Sequence, residues 1–121
     1  MIRIGVDMMG GDYAPLEAIK GVESFLEEKH DNIHLVLIGN ETIIKDQLAR
    51  LKISEQDYTI VHAPEVIEMH EHPTKALKEK KGSSIAIGFH LLVTGETDAF
   101  ISAGNTGAMM VGALFSIKAI E

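Results

Sequence analysis

Ile2-Arg3-Ile4-Gly5-Val6-Asp7-Met8-Met9-Gly10-Gly11-Asp12-Tyr13-Ala14-Pro15 opens the chain, and Leu16, Ile19, Val22 and Leu26 follow it at helical spacing. A short apolar run breaks at paired glycines, and an amphipathic helix begins with a proline suited to its first turn. That is a strand–turn–helix unit. The same order returns near the other end, where Ala99-Phe100-Ile101 leads into Ser102-Ala103-Gly104-Asn105-Thr106-Gly107-Ala108 and a second helix-like segment. Between them, Ile33 to Ile38 and Thr59 to His62 read as strands. The former is almost continuously apolar, as a parallel strand buried on both faces must be. Gly39-Asn40 introduces a helix carrying Ile44, Leu48 and Leu51, with Asn40 as its cap. Another helix is predicted from Ser83 to Val93, with Ile85, Phe89 and Leu92 on one side and Gly95 as its stop. From Thr106 onward the chain is apolar on nearly every side, so this helix is expected to be buried or covered by something outside these residues. Strands and helices in alternation predict a three-layer α/β/α fold with a mainly parallel sheet. Residues 1–121 are read as a single α/β domain, without repeats or a linker.

Composition narrows the function. A formal charge of −7 argues against nucleic acid as a partner, since duplex binding depends on a basic face. The absence of cysteine excludes disulfides and thiolate chemistry and fits a reducing compartment. The start shows no basic region followed by a long apolar stretch, and the longest apolar runs are too short for a bilayer. A soluble, cytoplasmic protein is the expectation.

In a parallel sheet, ligands bind beyond the carboxyl ends of the strands, and both glycine stretches lie there. A glycine turn before a helix presents bare N–H groups where the helix dipole favours negative charge. Gly10, Gly11, Gly104 and Gly107 are expected to take positive φ or to admit a ligand close to the backbone, with Asn105 and Thr106 adding side-chain donors. The plainer alternative is two ordinary turns in which Asn105 or Thr106 caps a helix. Neither stretch is a phosphate-binding loop ending in Gly-Lys-Ser/Thr, nor the dinucleotide pattern Gly-x-Gly-x-x-Gly.

Asp7 and Asp12 flank the first turn, where carboxyl groups ordinarily bond turn amides. His70 and His72 share a face of an extended stretch but lack further ligands at a diagnostic spacing, so no metal site is expected. Lys75, Lys78, Lys80 and Lys81 concentrate positive potential in an acidic chain, either to attract an anionic partner or as a solvated helical face.

Asp7-Met8-Met9-Gly10-Gly11-Asp12-Tyr13-Ala14-Pro15 resembles the opening motif of the bacterial PlsX-type phosphate acyltransferases. The resemblance continues from His62 through Val66-Ile67-Glu68-Met69 to Pro73, and into Lys80-Lys81-Gly82-Ser83-Ser84. Ser102 to Ala108 matches that family's pattern residue for residue, and the matches keep the family's order along the whole sequence. Departures are few: Met8 stands where Ala is usual, Lys78 where Arg is common and Gly82 where Asp is common. Lys78 weakens any bidentate phosphate contact at that place.

The resemblance implies acyl transfer from acyl–acyl carrier protein to inorganic phosphate, giving acyl phosphate for phospholipid synthesis without a cofactor. It also implies a fold akin to phosphate acetyltransferases and isopropylmalate-type dehydrogenases, a homodimer, and loose association with the inner membrane face. The family's chains are longer, so the sequence is read as their N-terminal part, inactive by itself. Attack by phosphate on a thioester needs positioning and oxyanion stabilisation rather than a protein nucleophile. Asn105 is accordingly the candidate oxyanion or phosphate donor. The substrate-binding candidates are Asp7, Gly10, Gly11, Asp12, Lys78, Lys81, Ser102, Gly104, Thr106 and Gly107. Lys78 and Lys81 would supply charge to phosphate or to the carrier protein. His62 and His70 are weak acid–base candidates. Two alternatives stand beside this: a phosphate acetyl- or butyryltransferase-like enzyme using coenzyme A thioesters, and a noncatalytic anion-binding module.

Overall fold

A computed structural model of the protein describes residues 1–28, 31–51 and 56–117. Four strands, β1 (Ile2–Asp7), β2 (Ile33–Gly39), β3 (Tyr58–His62) and β4 (Ala99–Ile101), form one sheet in the order β3-β2-β1-β4, parallel throughout. Their bounds match the apolar runs to within a residue or two. The helices are α1 (Leu16–Glu27), α2 (Glu41–Leu51), α3 (Pro73–Glu79), α4 (Ser84–Val93) and α5 (Thr106–Ser116).

The register explains why β2 is apolar along its length. Leu35 and Leu37, paired with Ile4 and Val6, pack under α1 and α2 against Met8, Ile19, Val22, Ile44 and Leu48. Val36 and Ile38 point the other way, to Ala63 and to Leu91 of α4. A central parallel strand therefore has no solvent face to mark with polar residues.

Local chemistry sets most helix ends. Asn40 Oδ1 accepts from Ile43 N–H at 3.2 Å, Ser83 Oγ from Ala86 N–H at 3.2 Å, and Asn105 Oδ1 from Ala108 N–H at 3.0 Å. Each occupies one of the orphan donors of a first turn. Gly95 lies just past the end of α4 at φ +79°, the left-handed geometry that ends a helix without Cβ strain.

Three expectations change, and of the two outcomes expected for α5, burial within the described residues does not occur. Pro15 takes the cap position of α1 rather than its first turn, and no side chain caps that helix. Leu16 is 51% exposed, because the buried face of α1 runs through Ala18, Ile19, Val22, Phe25 and Leu26 and leaves Leu16 beyond its edge. α3 has no counterpart among the predicted helices; it is one short two-turn helix, with Pro73 in its first turn and the His72 imidazole as its cap acceptor. α5 buries only Ala108 and Gly112 among the described residues, leaving Met110, Leu114 and Phe115 exposed, since α3 and α4 cover one of its faces. That contact needs small residues: a Cβ at Gly112 would fall 2.4 Å from the Phe89 ring, and one at Gly107 2.4 Å from Pro73 Cγ.

Candidate functional site

β1 and β4 are neighbours, so the parallel pairing brings the turn after each to the same end of the sheet. Asp7, the last residue of β1, is 4% exposed. Its Oδ1 accepts from Met9 N–H at 2.9 Å, shaping its own turn, and its Oδ2 accepts from Ser102 Oγ–H at 2.7 Å. Ser102 Oγ in turn accepts from Gly104 N–H at 3.0 Å. A carboxyl, a hydroxyl and an amide thus fasten two turns that lie 95 residues apart. Bonds of this kind, sheltered from water, are where a lost partner is most costly.

Gly10 lies against this fastening. A Cβ there would come 2.7 Å from Asp7 Oδ2, 2.8 Å from Gly104 N and 3.0 Å from Ser102 Oγ. Gly11 has φ +95° and faces Ala103. The expectation of positive φ therefore holds for Gly11 alone of the four glycines. Gly10 and Gly104 are needed for close approach of the two turns, and Gly107 for the contact with Pro73.

Beyond the fastening, backbone donors are left over. The N–H groups of Gly10, Gly11, Thr106 and Gly107 meet no acceptor among the described residues. A cleft of about 560 Å³ is lined by Asp7, Gly10, Gly11, Ser102 and Ala103, with Asp12 and Glu17 also on its lining, whereas Gly104, Asn105, Thr106 and Gly107 do not line it. No lysine or arginine among the described residues lines it.

Asn105 is 4% exposed and fully engaged. Besides capping α5, its Nδ2 donates to the carbonyls of Glu68 (3.0 Å), Met69 (3.4 Å) and Glu71 (3.1 Å). It ties the loop before α3 to the start of α5. The same loop is held from its other side by Lys80, whose Nζ donates to Val66 O at 2.8 Å and to Glu71 Oε2 at 2.7 Å. The Lys80 ammonium, followed by the Glu68 N–H, holds the Glu71 carboxyl below the usual carboxylate range. Glu65 Oε1 also accepts from Gly82 N–H at 3.1 Å. No spacing rule announces these contacts between Glu65 and Gly82, or between Asn105 and the loop, because their partners are backbone atoms distant in sequence.

Lys78 and Lys81 lie elsewhere. Both are exposed and line a second cleft of about 710 Å³, between α3, α4 and α5, with Leu77, Phe89, Val93 and Phe115. The lysine cluster is therefore divided: Lys80 braces a loop, and Lys78 and Lys81 rim an apolar groove away from the glycine junction. His62 Nδ1 accepts from Glu41 N–H at 3.1 Å at the start of α2, and His70 is exposed on the loop.

Comparison with known proteins adds a consistent result. The model of a family described as fatty acid synthesis protein matches residues 2–121. A phosphate acyltransferase of Thermoanaerobacterium thermosaccharolyticum is 51% identical over 120 residues, covering 99% of this chain and 34% of its own length. Proteins of the same name from Dictyoglomus turgidum and Herpetosiphon aurantiacus are 48% and 44% identical, again over 99% of this chain and over 35% and 32% of theirs. The chain spans about a third of the length of the curated relatives it matches.

Proposed function

This chain belongs to the fatty acid synthesis protein family, and from that membership we propose that it takes part in transfer of an acyl group from acyl–acyl carrier protein to inorganic phosphate. The observation that carries the reading is the junction of the two glycine turns, with unclaimed N–H groups on either side of the Asp7–Ser102–Gly104 fastening. Donors fixed in place before the reaction stabilise developing charge without reorganising during it.

In this reaction a phosphate oxygen attacks the thioester carbonyl, the C–O bond forms, and the carbonyl oxygen becomes an oxyanion. Collapse breaks the C–S bond, and the carrier's thiolate leaves and takes up a proton. No protein nucleophile is required, in keeping with a chain that has no cysteine. Gly10, Gly11, Thr106 and Gly107 supply backbone donors to phosphate or oxyanion. Asp7, Ser102 and Gly104 hold the turns that carry them, and Asp12 borders the site. Asn105 reaches the oxyanion only by releasing the carbonyls of the 68–71 loop, so its direct part requires that loop to move. Lys78 and Lys81, on the groove away from this junction, suit the acidic carrier protein better than the phosphate.

A homodimer working against the inner membrane face belongs to the same proposal. No helix among the described residues is long and apolar enough to cross a membrane.

The test is acyl phosphate formation by the protein expressed from its full reading frame, with inorganic phosphate and either acyl–carrier protein or acyl–coenzyme A. Turnover with the carrier-protein donor supports the proposal. Turnover confined to coenzyme A thioesters overturns its choice of substrate, and phosphate binding without turnover leaves only an anion-binding module.

A further inference from the structure

Lys80 stands apart from the other lysines between residues 75 and 81. Lys75, Lys78 and Lys81 are exposed, whereas Lys80, just past the end of α3, is half-buried. Its ammonium is spent on two oxygens of one loop, Val66 O at 2.8 Å and Glu71 Oε2 at 2.7 Å. Glu71 Oε2 accepts as well from Glu68 N–H at 2.7 Å, and Glu71 N–H donates to Glu68 O at 3.2 Å. Residues 66–71 are thus closed into a turn with the ammonium as its clasp. Fixing so long a side chain costs rotamer entropy, so the clasp is explained by what the turn supports.

That turn supports the start of α5. It provides the carbonyls of Glu68, Met69 and Glu71 that receive the Asn105 amide. Asn105 in turn sets the first turn of the helix: its Oδ1 takes the Ala108 N–H and leaves those of Thr106 and Gly107, just ahead, without an acceptor among the described residues. The loop also runs directly into Pro73, whose ring packs against Gly107. Both supports of the α5 N-terminus therefore come from the segment that Lys80 clasps.

We infer that Lys80 is a positioning residue for the anion site: through the 66–71 turn and Asn105 it fixes the Thr106 and Gly107 N–H groups that receive phosphate, without touching the phosphate itself. The inference rests on the reading of the two glycine turns as a phosphate site. Other roles for these groups predict the opposite sign. Were Lys80 a direct ligand, removing Glu71 would free its ammonium and strengthen binding, as would the loss of a nearby negative charge by itself. Were Asn105 a direct ligand, a loosened turn would release its amide to the anion. As a clasp, the pair weakens phosphate binding when either partner is lost.

Titration calorimetry with inorganic phosphate, on the protein expressed from its full reading frame, compares the parent with Lys80→Met and Glu71→Ala. A hydrogen bond to a charged group is worth roughly ten- to a hundredfold in an equilibrium constant. The turn keeps its contacts with Asn105, so Kd for phosphate should rise by about tenfold in each variant, the low end of that range. Melting temperatures should stay near the parent's, since a half-exposed pair adds little to global stability. Under turnover, KM for phosphate should rise by the same factor with kcat at saturating phosphate unchanged, because excess phosphate selects the ordered turn. Unchanged binding in a folded Lys80→Met protein overturns the inference, and so does tighter binding by Glu71→Ala. A fall in kcat with KM for phosphate unaltered overturns it too, by moving Lys80 to the chemical step. A parent that binds no phosphate refutes the phosphate-site reading itself, a result distinct from a site that binds but ignores Lys80.

Discussion

Gly10→Ala tests the junction of the two turns by stability alone. The new Cβ would sit 2.7 Å from Asp7 Oδ2 and 2.8 Å from Gly104 N, against the roughly 3.5–4 Å of an unstrained contact. Both neighbours are fixed: one is a buried carboxyl held by two hydrogen bonds, the other a backbone amide. Relief therefore requires the turns to part, stretching the Ser102–Asp7 and Gly104–Ser102 bonds from 2.7 and 3.0 Å. Overpacking costs about 1–3 kcal/mol, and two weakened bonds add about 0.5–1.5 kcal/mol each. The expected loss is about 2–6 kcal/mol out of a domain stability of about 5–15 kcal/mol.

Gly11→Ala provides the comparison. It has ordinary room, 3.5 Å from Ala103 Cβ, and pays only for φ +95°, about 1–2 kcal/mol. Urea unfolding followed by far-ultraviolet circular dichroism measures both. If Gly10→Ala proves no more destabilising than Gly11→Ala, the turns do not meet as described.

Asn105→Asp should keep the cap of α5, since a carboxylate oxygen can still accept from Ala108 N–H, but it sets acceptor against acceptor at Glu68, Met69 and Glu71. Amide hydrogen exchange should therefore quicken in the 68–71 loop and not in α5. Equal protection in both would deny the tie. For the Lys80–Glu71 pair the sign follows from the lowered carboxyl value in the folded state: its stabilisation is present above the ordinary value of 4.5 and lost as pH falls through the lower folded value. Exchange in the loop should rise over that acidic window in the parent protein, whereas a Lys80→Met variant should exchange faster already at neutral pH. Reversing Lys78 and Lys81 to Glu should slow association with the acidic carrier protein and flatten its salt dependence, leaving KM for phosphate in place. A raised KM for phosphate with unaltered carrier binding would move these lysines to the phosphate instead.

How far the sequence discloses this arrangement depends on the range of the interactions. The strands and four of the five helices are legible because period and capping act over a few residues; Asn40, Ser83 and Gly95 mark their helix ends in the sequence and do so in the structure. That the two glycine turns could share one pocket follows from strand ends in a parallel sheet, and the register of β1 with β4 brings them together. What escapes is long-range and polar. The Asp7–Ser102 bond spans 95 residues, and Asn105 spends its amide on three carbonyls that no motif identifies. α3 escapes for a different reason: seven residues, with Ala76 the buried one, are too few to show a helical stripe. Lys78 and Lys80 sit two apart on the chain yet face a groove and a loop, because Lys78 lies in the last turn of α3 while Lys80 follows it in a non-helical conformation.

If the turns after β1 and β4 receive phosphate together, their backbone amides must respond to it as one site. Titrating isotope-labelled protein with inorganic phosphate and following the backbone amide resonances tests it directly. The resonances of Gly10, Gly11, Thr106 and Gly107 should shift together along one binding curve, while Lys78 and Lys81 stay still. Shifts confined to the lysine groove, or turns that respond with different affinities, would contradict it.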